Sequence, residues 1–560
     1  MRRVNAPRRK ARWPSARERT ERARCGSSFH TAAPRCYVDG AMIELASFVS
    51  GKWEKGKGKA AELVNPSTEE VIATTSTEGI DFGAALAFAR ERGGPALRGM
   101  SFTQRGEMLR AMSRAIHAKR DELIGLAIAN GGNTRGDAKF DIDGAIGTLA
   151  AYADLAPELG DTHVLADGDG IQLGRGARLF GQHLYLPRTG AAVHVNAFNF
   201  PAWGLAEKAA TALLAGMPVV SKPATSTALV AHRIVEILVA DAVLPEGAFS
   251  LVCGAPGDLL DRLEAQDVLA FTGSSITAAK LRAGKAIVSR ATRINVEADS
   301  LNAAVLGPDV EPGSDVMNLF VSDVFREMTQ KTGQKCTAIR RIYVPKDRVG
   351  IVSELLRERL AAVKVGNPAS EEVTMGPVST AQQLRDVRDG VTKLTSCAKV
   401  VFGKTTDVTG IGAPEGKGFF VTPVLLQADE PKPGDAVHEH EVFGPVATLM
   451  PYGAADDVIA LVAAGGGGLV TSIYSDDKEF TRTMVLGIAP FHGRLVLGSS
   501  KVAAQSLPPG MALPQLVHGG PGRAGGGEEL GARRGMTFYM QRTALQGDRA
   551  LLEALVGKKS

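Results

Sequence analysis

The chain has 560 residues, of which 44% are hydrophobic, 22% charged and 5% aromatic. That length exceeds one ordinary hydrophobic core, and the balance excludes a disordered or fibrous chain. Its net charge of +5 is local: residues 1–40 hold eleven Lys or Arg against Glu18, Glu21 and Asp39, a balance of +8, which leaves −3 for the rest. The remaining chain has no electrostatic footprint for nucleic acid, and no apolar run suits a membrane span.

The Arg-rich opening reads as a basic arm, an organellar targeting segment, or a start assigned ahead of the true one at Met42. All three readings put residues 1–41 outside the fold. Five scattered cysteines, Cys25, Cys36, Cys253, Cys336 and Cys397, show no zinc or disulfide spacing and fit a reducing cytoplasm. No metal site is expected.

In chain order, Phe48-Val49 is the first short strand, before a turn at Ser50-Gly51-Lys52. Leu184 to Pro187 is a candidate strand lying apart from the main pattern. Ala191–Val195 then reads as a strand and Trp203–Leu214 as a helix, closed by Ala215-Gly216. Pro218–Ser221, Ala248–Val252, Val268–Phe271 and Thr292–Val296 read as further strands. Helical periods fall at Ala228–Val239 and Leu259–Leu263. Strands separated by helices predict a parallel, doubly wound α/β domain, with ligands at the carboxyl ends of its strands. From Ala303 to about Ser499 the pattern recurs, with strands at Ile339–Pro345 and Val446–Met450 and a helix at Arg348–Val363. Gly465–Gly468 reads as a loop, and the glycine-dense Gly519–Gly535 as irregular chain wrapping a site or an interface. Thr537–Gln541 is a second outlying strand.

Three segments carry candidate chemistry. Asn199, between Phe198 and Phe200 after a strand, suits a helix N-cap by residue type or an amide aimed into a site; on pattern alone the cap is favoured. Glu297 ends a strand, where desolvation tunes a carboxylate toward general-base work if a nucleophile is near. Gly333-Gln334-Lys335-Cys336-Thr337 places a thiol in a polar loop, where neighbouring cations can activate it.

Together with Lys222-Pro223-Ala224, Phe271-Thr272-Gly273-Ser274 and Glu441-Val442-Phe443-Gly444-Pro445, these segments resemble the aldehyde dehydrogenase superfamily from Met42 onward. The resemblance implies that fold: a doubly wound cofactor-binding domain (42–168 and 190–300), a second α/β catalytic domain (301–530) and a small β oligomerisation element (169–189 and 531–545). It further implies Cys336 as nucleophile, Asn199 and the Cys336 backbone N–H as oxyanion donors, Glu297 as base for the deacylating water, and Lys208 and Glu529 as a proton relay. Lys222, Thr225, Gly273, Ser274, Glu441 and Phe443 are the implied cofactor contacts. Thr225 stands where many NAD-preferring relatives carry Glu, so NADP is the expected cofactor, with NAD admissible.

Two departures stand out: Ala278 replaces the second glycine of the family's Gly-x-x-x-x-Gly loop, and Ala-Asp-Ser-Leu-Asn follows Glu297. The latter, with His518-Gly519-Gly520-Pro521-Gly522-Arg523 and the run to Glu529, resembles the dehydrogenase half of the bifunctional phenylacetate-degradation protein and the benzoate-pathway 3,4-dehydroadipyl-CoA semialdehyde dehydrogenases. With Ser560 as its last residue, the chain is expected to lack the hydratase-like domain that follows the dehydrogenase half of the bifunctional protein. Expected partners are a small, CoA-linked aldehyde and further copies of the chain as a homodimer or larger homo-oligomer, with the outlying strands pairing across subunits. The competing readings are a CoA-acylating dehydrogenase, which Glu297 argues against, and a catalytically silent relative, which the joint presence of Cys336, Asn199 and Glu297 argues against.

Overall fold

A computed structural model describes residues 42–556. The Arg-rich opening and its three readings lie outside the described residues. The described chain folds as one unit around two seven-stranded sheets.

In the first sheet, Ala192–Val195 lies between Val268–Thr272 and Val219–Lys222, all parallel; Arg293–Glu297 extends one flank and Phe249–Leu251 the other. Each crossover is a helix or loop, because parallel neighbours cannot be joined by a hairpin. The strands come in the spatial order fifth, fourth, first, second, third, so the order reverses between Ala192–Val195 and Val268–Thr272. A crevice opens at the carboxyl ends on either side of such a reversal. Asn196–Asn199 and Gly273-Ser274 follow those two strands. The hairpin Ser47–Val49 and Lys52–Glu54 closes the far edge antiparallel.

Helices Trp203–Ala215 and Ala228–Ala240 form where apolar periodicity predicted them. Leu259–Leu263 is instead one 3₁₀ turn, Leu259–Arg262, since four residues cannot sustain α-helical hydrogen bonding. Helices Phe102–Ala118 and Arg135–Leu159 pack beside Trp203–Ala215, and Arg120–Gly131 packs against Arg135–Leu159 and Ala228–Ala240; the first starts with a capping box between Ser101 and Gln104.

The second sheet runs Lys399–Phe402, Val424–Gln427, Val446–Tyr452, Arg341–Pro345, Ala303–Leu306, Gly468–Tyr474, His492–Gly498, parallel except at its first strand. Its core faces are Val, Ile and Leu on both sides, as a covered parallel sheet requires. The glycine loop ends at Gly467, and Gly468 already belongs to a strand.

Leu179–Pro187 pairs antiparallel with Met540–Asp548 in a small separate sheet, so the two outlying strands meet each other within one chain. The second begins later than Thr537–Gln541 predicted: Arg533–Thr537 is a short helix, and the strand is too polar to show an apolar period. Gly519–Gly535 is less irregular than its glycines suggest, since Val517–Gly519 and Glu528–Leu530 form a two-stranded ribbon. The fold class expected from sequence is the one observed. No described helix is long and apolar enough to cross a membrane.

Candidate active site

Helix Asp315–Thr329 delivers the chain to the cysteine through three left-handed residues, Lys331 (φ 53°), Thr332 (φ 56°) and Gly333 (φ 64°). Only glycine fits at 333, because a Cβ there would meet the Gly444 carbonyl oxygen at 2.2 Å. Left-handed Lys331 and Thr332 each cost roughly 1–3 kcal/mol, so the surroundings must hold them. Arg340 does much of that: its guanidinium donates to the carbonyls of Gly333 (2.9 Å), Lys335 (3.2 Å) and Gly444 (2.7 Å). Asn302 donates to the Cys336 and Ala338 carbonyls at 2.8 and 2.9 Å.

The loop is polar, as its residue types indicate, but it is buried. Lys335 is fully buried in an ion pair with Glu327 (2.8 Å), and Gln334 is buried with its amide oxygen accepting from the Ser379 N–H (3.0 Å). Long polar side chains usually mark solvent, but here each is paired internally, which makes the loop rigid.

Cys336 Sγ projects into a pocket with Asn199, Phe200, Trp203, Glu297 and His518. Sγ, His518 Nε2 and a Glu297 carboxylate oxygen all lie within 4.8 Å of one another. Sγ and Nε2 are hydrogen-bonded at 3.8 Å, and Nε2 is 3.3 Å from Glu297 Oε1. Burial and then the Glu297 charge push the Cys336 thiol up to about 12, against the His518 hydrogen bond that lowers it. Burial also works against the Glu297 carboxylate, yet the His518 charge, aided by Lys208, holds it down at about 2. The same pairing lifts His518 well above its ordinary value in spite of its burial. Glu297 Oε1 nevertheless has no aligned hydrogen-bond donor among the described residues. An unsatisfied carboxylate oxygen facing a pocket can accept a hydrogen bond from water.

Behind Glu297, Thr272 Oγ1 is 3.4 Å from Oε2 and accepts from Lys208 Nζ at 2.7 Å; Lys208 also pairs with Glu529 at 3.0 Å. The expected relay residues are thus in one buried chain of polar contacts. Asn199 lines the same pocket, its amide donating to the Gln334 carbonyl at 3.0 Å. It caps no helix. The N-terminus of Trp203–Ala215 is served by Asp141, whose carboxylate accepts from the Trp203 N–H at 2.8 Å. Phe198 and Phe200 diverge around it: Phe198 stacks edge-on against Phe443 (5.8 Å), and Phe200 against Trp203 (5.8 Å).

Lys222 and Thr225 follow Val219–Lys222, at the carboxyl end of the first sheet. The Lys222 ammonium is buried, donates to the Pro223 carbonyl (2.9 Å) and has no ion-pair partner among the described residues. An unpaired buried cation at this end of the sheet suits the ribose oxygens or phosphate of a nucleotide. Ser274 caps helix Ser275–Arg282 by accepting from the Thr277 N–H (3.3 Å), and Asp299 accepts from the Ser275 N–H (2.9 Å). Ala278, in place of the family's glycine, turns its methyl toward Phe271, Val296 and Ala298. Glu441 accepts from the Ser300 N–H (2.9 Å) and pairs with Arg340 (3.4 Å); burial raises its carboxyl to about 7 despite that arginine.

The family model described as "Aldehyde dehydrogenase family" matches residues 53–544. The chain belongs to the aldehyde dehydrogenase family. It is an oxidoreductase acting on aldehydes, in a family that uses NAD or NADP. Among curated relatives, the 3,4-dehydroadipyl-CoA semialdehyde dehydrogenase of Aromatoleum evansii is 45% identical over 479 residues, 86% of this chain and 93% of the relative. Among solved structures, betaine aldehyde dehydrogenase of Staphylococcus aureus in complex with NAD+ superposes with a TM-score of 0.78 at 21% identity, covering 90% of this chain and 95% of that one. A 3,6-anhydro-L-galactose dehydrogenase in complex with NAP gives 0.78 at 22%, covering 90% and 100%. These two likenesses concern the fold.

In this aldehyde dehydrogenase, four residues that the structure places at the centre, His518, Glu207, Thr272 and Arg340, carry no chemistry by sequence pattern alone. His518 opens a glycine-rich motif whose pattern points only to irregular chain. Glu207 lines the pocket beside Lys208, and burial pushes its carboxyl up to about 7. Thr272 and Arg340 bridge or brace the reacting groups. The one available signal was that His518 and Glu529 bracket a single glycine run.

Proposed function

We propose that this aldehyde dehydrogenase oxidises a CoA-linked semialdehyde from aerobic aromatic-acid degradation, such as 3,4-dehydroadipyl-CoA semialdehyde or 3-oxo-5,6-dehydrosuberyl-CoA semialdehyde, to the acid with NADP. The observation carrying the reaction is the meeting of Cys336 and Glu297 in one pocket beside Asn199. The substrate class rests on the 45% identity to the Aromatoleum evansii enzyme over most of both chains.

Cys336 sulfur attacks the aldehyde carbon, and the Asn199 amide with the Cys336 N–H steadies the oxyanion. Bound nicotinamide supplies the hydride acceptor that allows the adduct to become a thioester. Glu297, through its unsatisfied Oε1, takes a proton from the attacking water, and the proton leaves through Thr272, Lys208 and Glu529. Lys222 and Thr225 hold the adenosine ribose; a neutral Thr225 admits a 2′-phosphate where an acid would repel it, so NADP is preferred over NAD. Gly273 and Ser274 border the pyrophosphate, and Glu441 and Phe443 meet the nicotinamide ribose and ring. The open edge of Met540–Asp548, with Leu551 and Leu555 exposed beside it, supports a homo-oligomer built on the small sheet. A reducing cytoplasm keeps the nucleophilic thiol available.

The test is reduced-nicotinamide absorbance on the full chain with a CoA-linked semialdehyde, NADP and NAD side by side, and Cys336→Ala as blank. Cys336-dependent reduction favouring NADP, with free acid as product, is expected. Acyl-CoA formed only when free CoA is added would overturn the hydrolytic reading, and no reduction with any aldehyde would overturn it altogether.

A further inference from the structure

The geometry points to His518 as a further catalytic residue, the acid–base partner of Cys336, with Glu297 steadying its charged ring. The inference deepens the reading of Cys336 as nucleophile and rests on it.

One histidine nitrogen is placed for this work. Nε2 hydrogen-bonds Cys336 Sγ at 3.8 Å and lies 3.3 Å from Glu297 Oε1, so the same atom faces the proton's source and the charge that stabilises it once transferred. The placement is built into the backbone. His518 sits directly opposite Glu529 in the ribbon Val517–Gly519/Glu528–Leu530, and opposite residues of an antiparallel pair project from the same face. One ribbon therefore supplies His518 at the sulfur end of the polar chain and Glu529 at its far end. The ribbon's glycine link is bonded to the strand carrying Glu297: the Gly527 N–H donates to the Val296 carbonyl (3.1 Å), and the Ala298 N–H to the Ala524 carbonyl (3.0 Å). A Cβ at Gly527 would meet that Val296 oxygen at 2.3 Å, so glycine is what lets the ribbon lie this close.

A buried thiol pushed up to about 12 holds almost no thiolate near neutrality, so a proton acceptor at the sulfur changes the rate of attack directly. In acylation the Sγ–H bond breaks and its proton passes to Nε2. The electron pair left on sulfur forms the C–S bond, and the carbonyl π pair moves to the oxygen beside Asn199. In deacylation, which would follow once a bound nicotinamide had taken the hydride from the adduct carbon, water adds to the thioester carbon as Glu297 takes its proton, the C–S pair returns to sulfur, and Nε2 gives its proton back. Cys336 and His518 end as they began, and the water proton leaves from Glu297.

The groups share their protons, so the titration belongs to the cluster. Facing His518 are Glu297 and Cys336, with Glu207 and Lys208 from the neighbouring helix; Arg340 and Arg494 face the sulfur. In the fully protonated cluster the imidazolium sits beside a thiol and the Glu297 carboxylate. Loss of one proton, at a pH above the ordinary histidine value of 6.5, leaves a single proton to be shared between Sγ and Nε2, and the sulfur is nucleophilic when that proton sits on Nε2.

The experiment is the pH–rate profile for iodoacetamide alkylation of Cys336, followed by peptide mass on the full chain, with Cys336→Ala as blank and no aldehyde or cofactor present. In the unsubstituted protein the rate should rise with pH through a break above the ordinary histidine value of 6.5 and then level. In His518→Gln it should fall roughly 100-fold at pH 8 and keep climbing without levelling. Equal profiles in the two proteins would overturn the inference. So would an unsubstituted profile that climbs without a break, a result that decides the matter even if His518→Gln does not fold. A protein that shows the expected profile yet reduces no nicotinamide would break the dehydrogenase reading and leave the Cys336–His518 pairing standing.

Discussion

The cysteine loop and the strand ends proposed to face the cofactor are built on opposite principles. Around Cys336 polar groups are buried and paired: Arg340 binds three carbonyls, Asn302 two, and Lys335 is sealed against Glu327. Around Gly273 and Ser274 the helices are short and solvated, with Ile276 and Val288 about 70% exposed. On the proposed assignment, the difference teaches that the reacting atoms are fixed before substrate arrives, while the end that would take the cofactor is kept accessible. A nucleophile 1 Å out of place loses orders of magnitude in rate, whereas a cofactor must enter and leave on every turnover.

The largest effect should come from breaking the rigid half. Lys335→Met leaves Glu327 buried without its cation, and denaturant unfolding should register a loss of about 3–5 kcal/mol. A loss below about 1 kcal/mol would mean that the loop is not held as described. Next, Asn199→Ala should lower kcat/KM roughly 100-fold, about 3 kcal/mol of transition-state stabilisation, with the melting temperature nearly unchanged. A comparable loss of stability would instead make Asn199 a brace for Gln334.

A pH test sharpens the comparison further. The Glu207 carboxyl is raised by burial from 4.5 to about 7 in the folded protein. A raised group contributes stability that is fully present below pH 4.5 and lost as pH climbs through 7. Glu207→Gln should therefore gain on the unsubstituted protein between those values, by about 1–3 kcal/mol, and hold that gain above them. A constant difference between pH 4 and 8 would contradict the burial argument. The smallest change belongs to the open half: Thr225→Glu should cost about tenfold in kcat/KM for NADP, roughly 1.4 kcal/mol, and leave Cys336 alkylation untouched. Altered alkylation would show the two halves to be mechanically coupled.

The parallel strands of the first sheet were legible because strands and helices carry distinct apolar periods, whereas Asn199, Glu297 and Cys336 stood out only through their motifs taken together. The burial of Lys335 was not legible. Its partner Glu327 lies eight residues upstream on the preceding helix, and only three left-handed residues turn the chain back upon it. Asn199 looked like a cap because the competing acceptor, Asp141, lies 62 residues from the N–H it binds. His518 is 182 residues from Cys336, and its meaning depends on a ribbon register with Glu529 that glycine-rich sequence does not display. Local pattern specifies the elements; the pairings that give buried polar groups their chemistry are set by tertiary packing.

The most direct test of the central claim is to trap the covalent intermediate. Glu297→Gln, mixed with NADP and a CoA-linked semialdehyde and quenched within one turnover, should carry an acyl group on Cys336 by peptide mass, at near-stoichiometric yield. The unsubstituted protein should carry little, since Glu297 clears it. An acyl group on another residue, or equal and low occupancy in both proteins alongside normal acid release, would contradict the division of labour between Cys336 and Glu297.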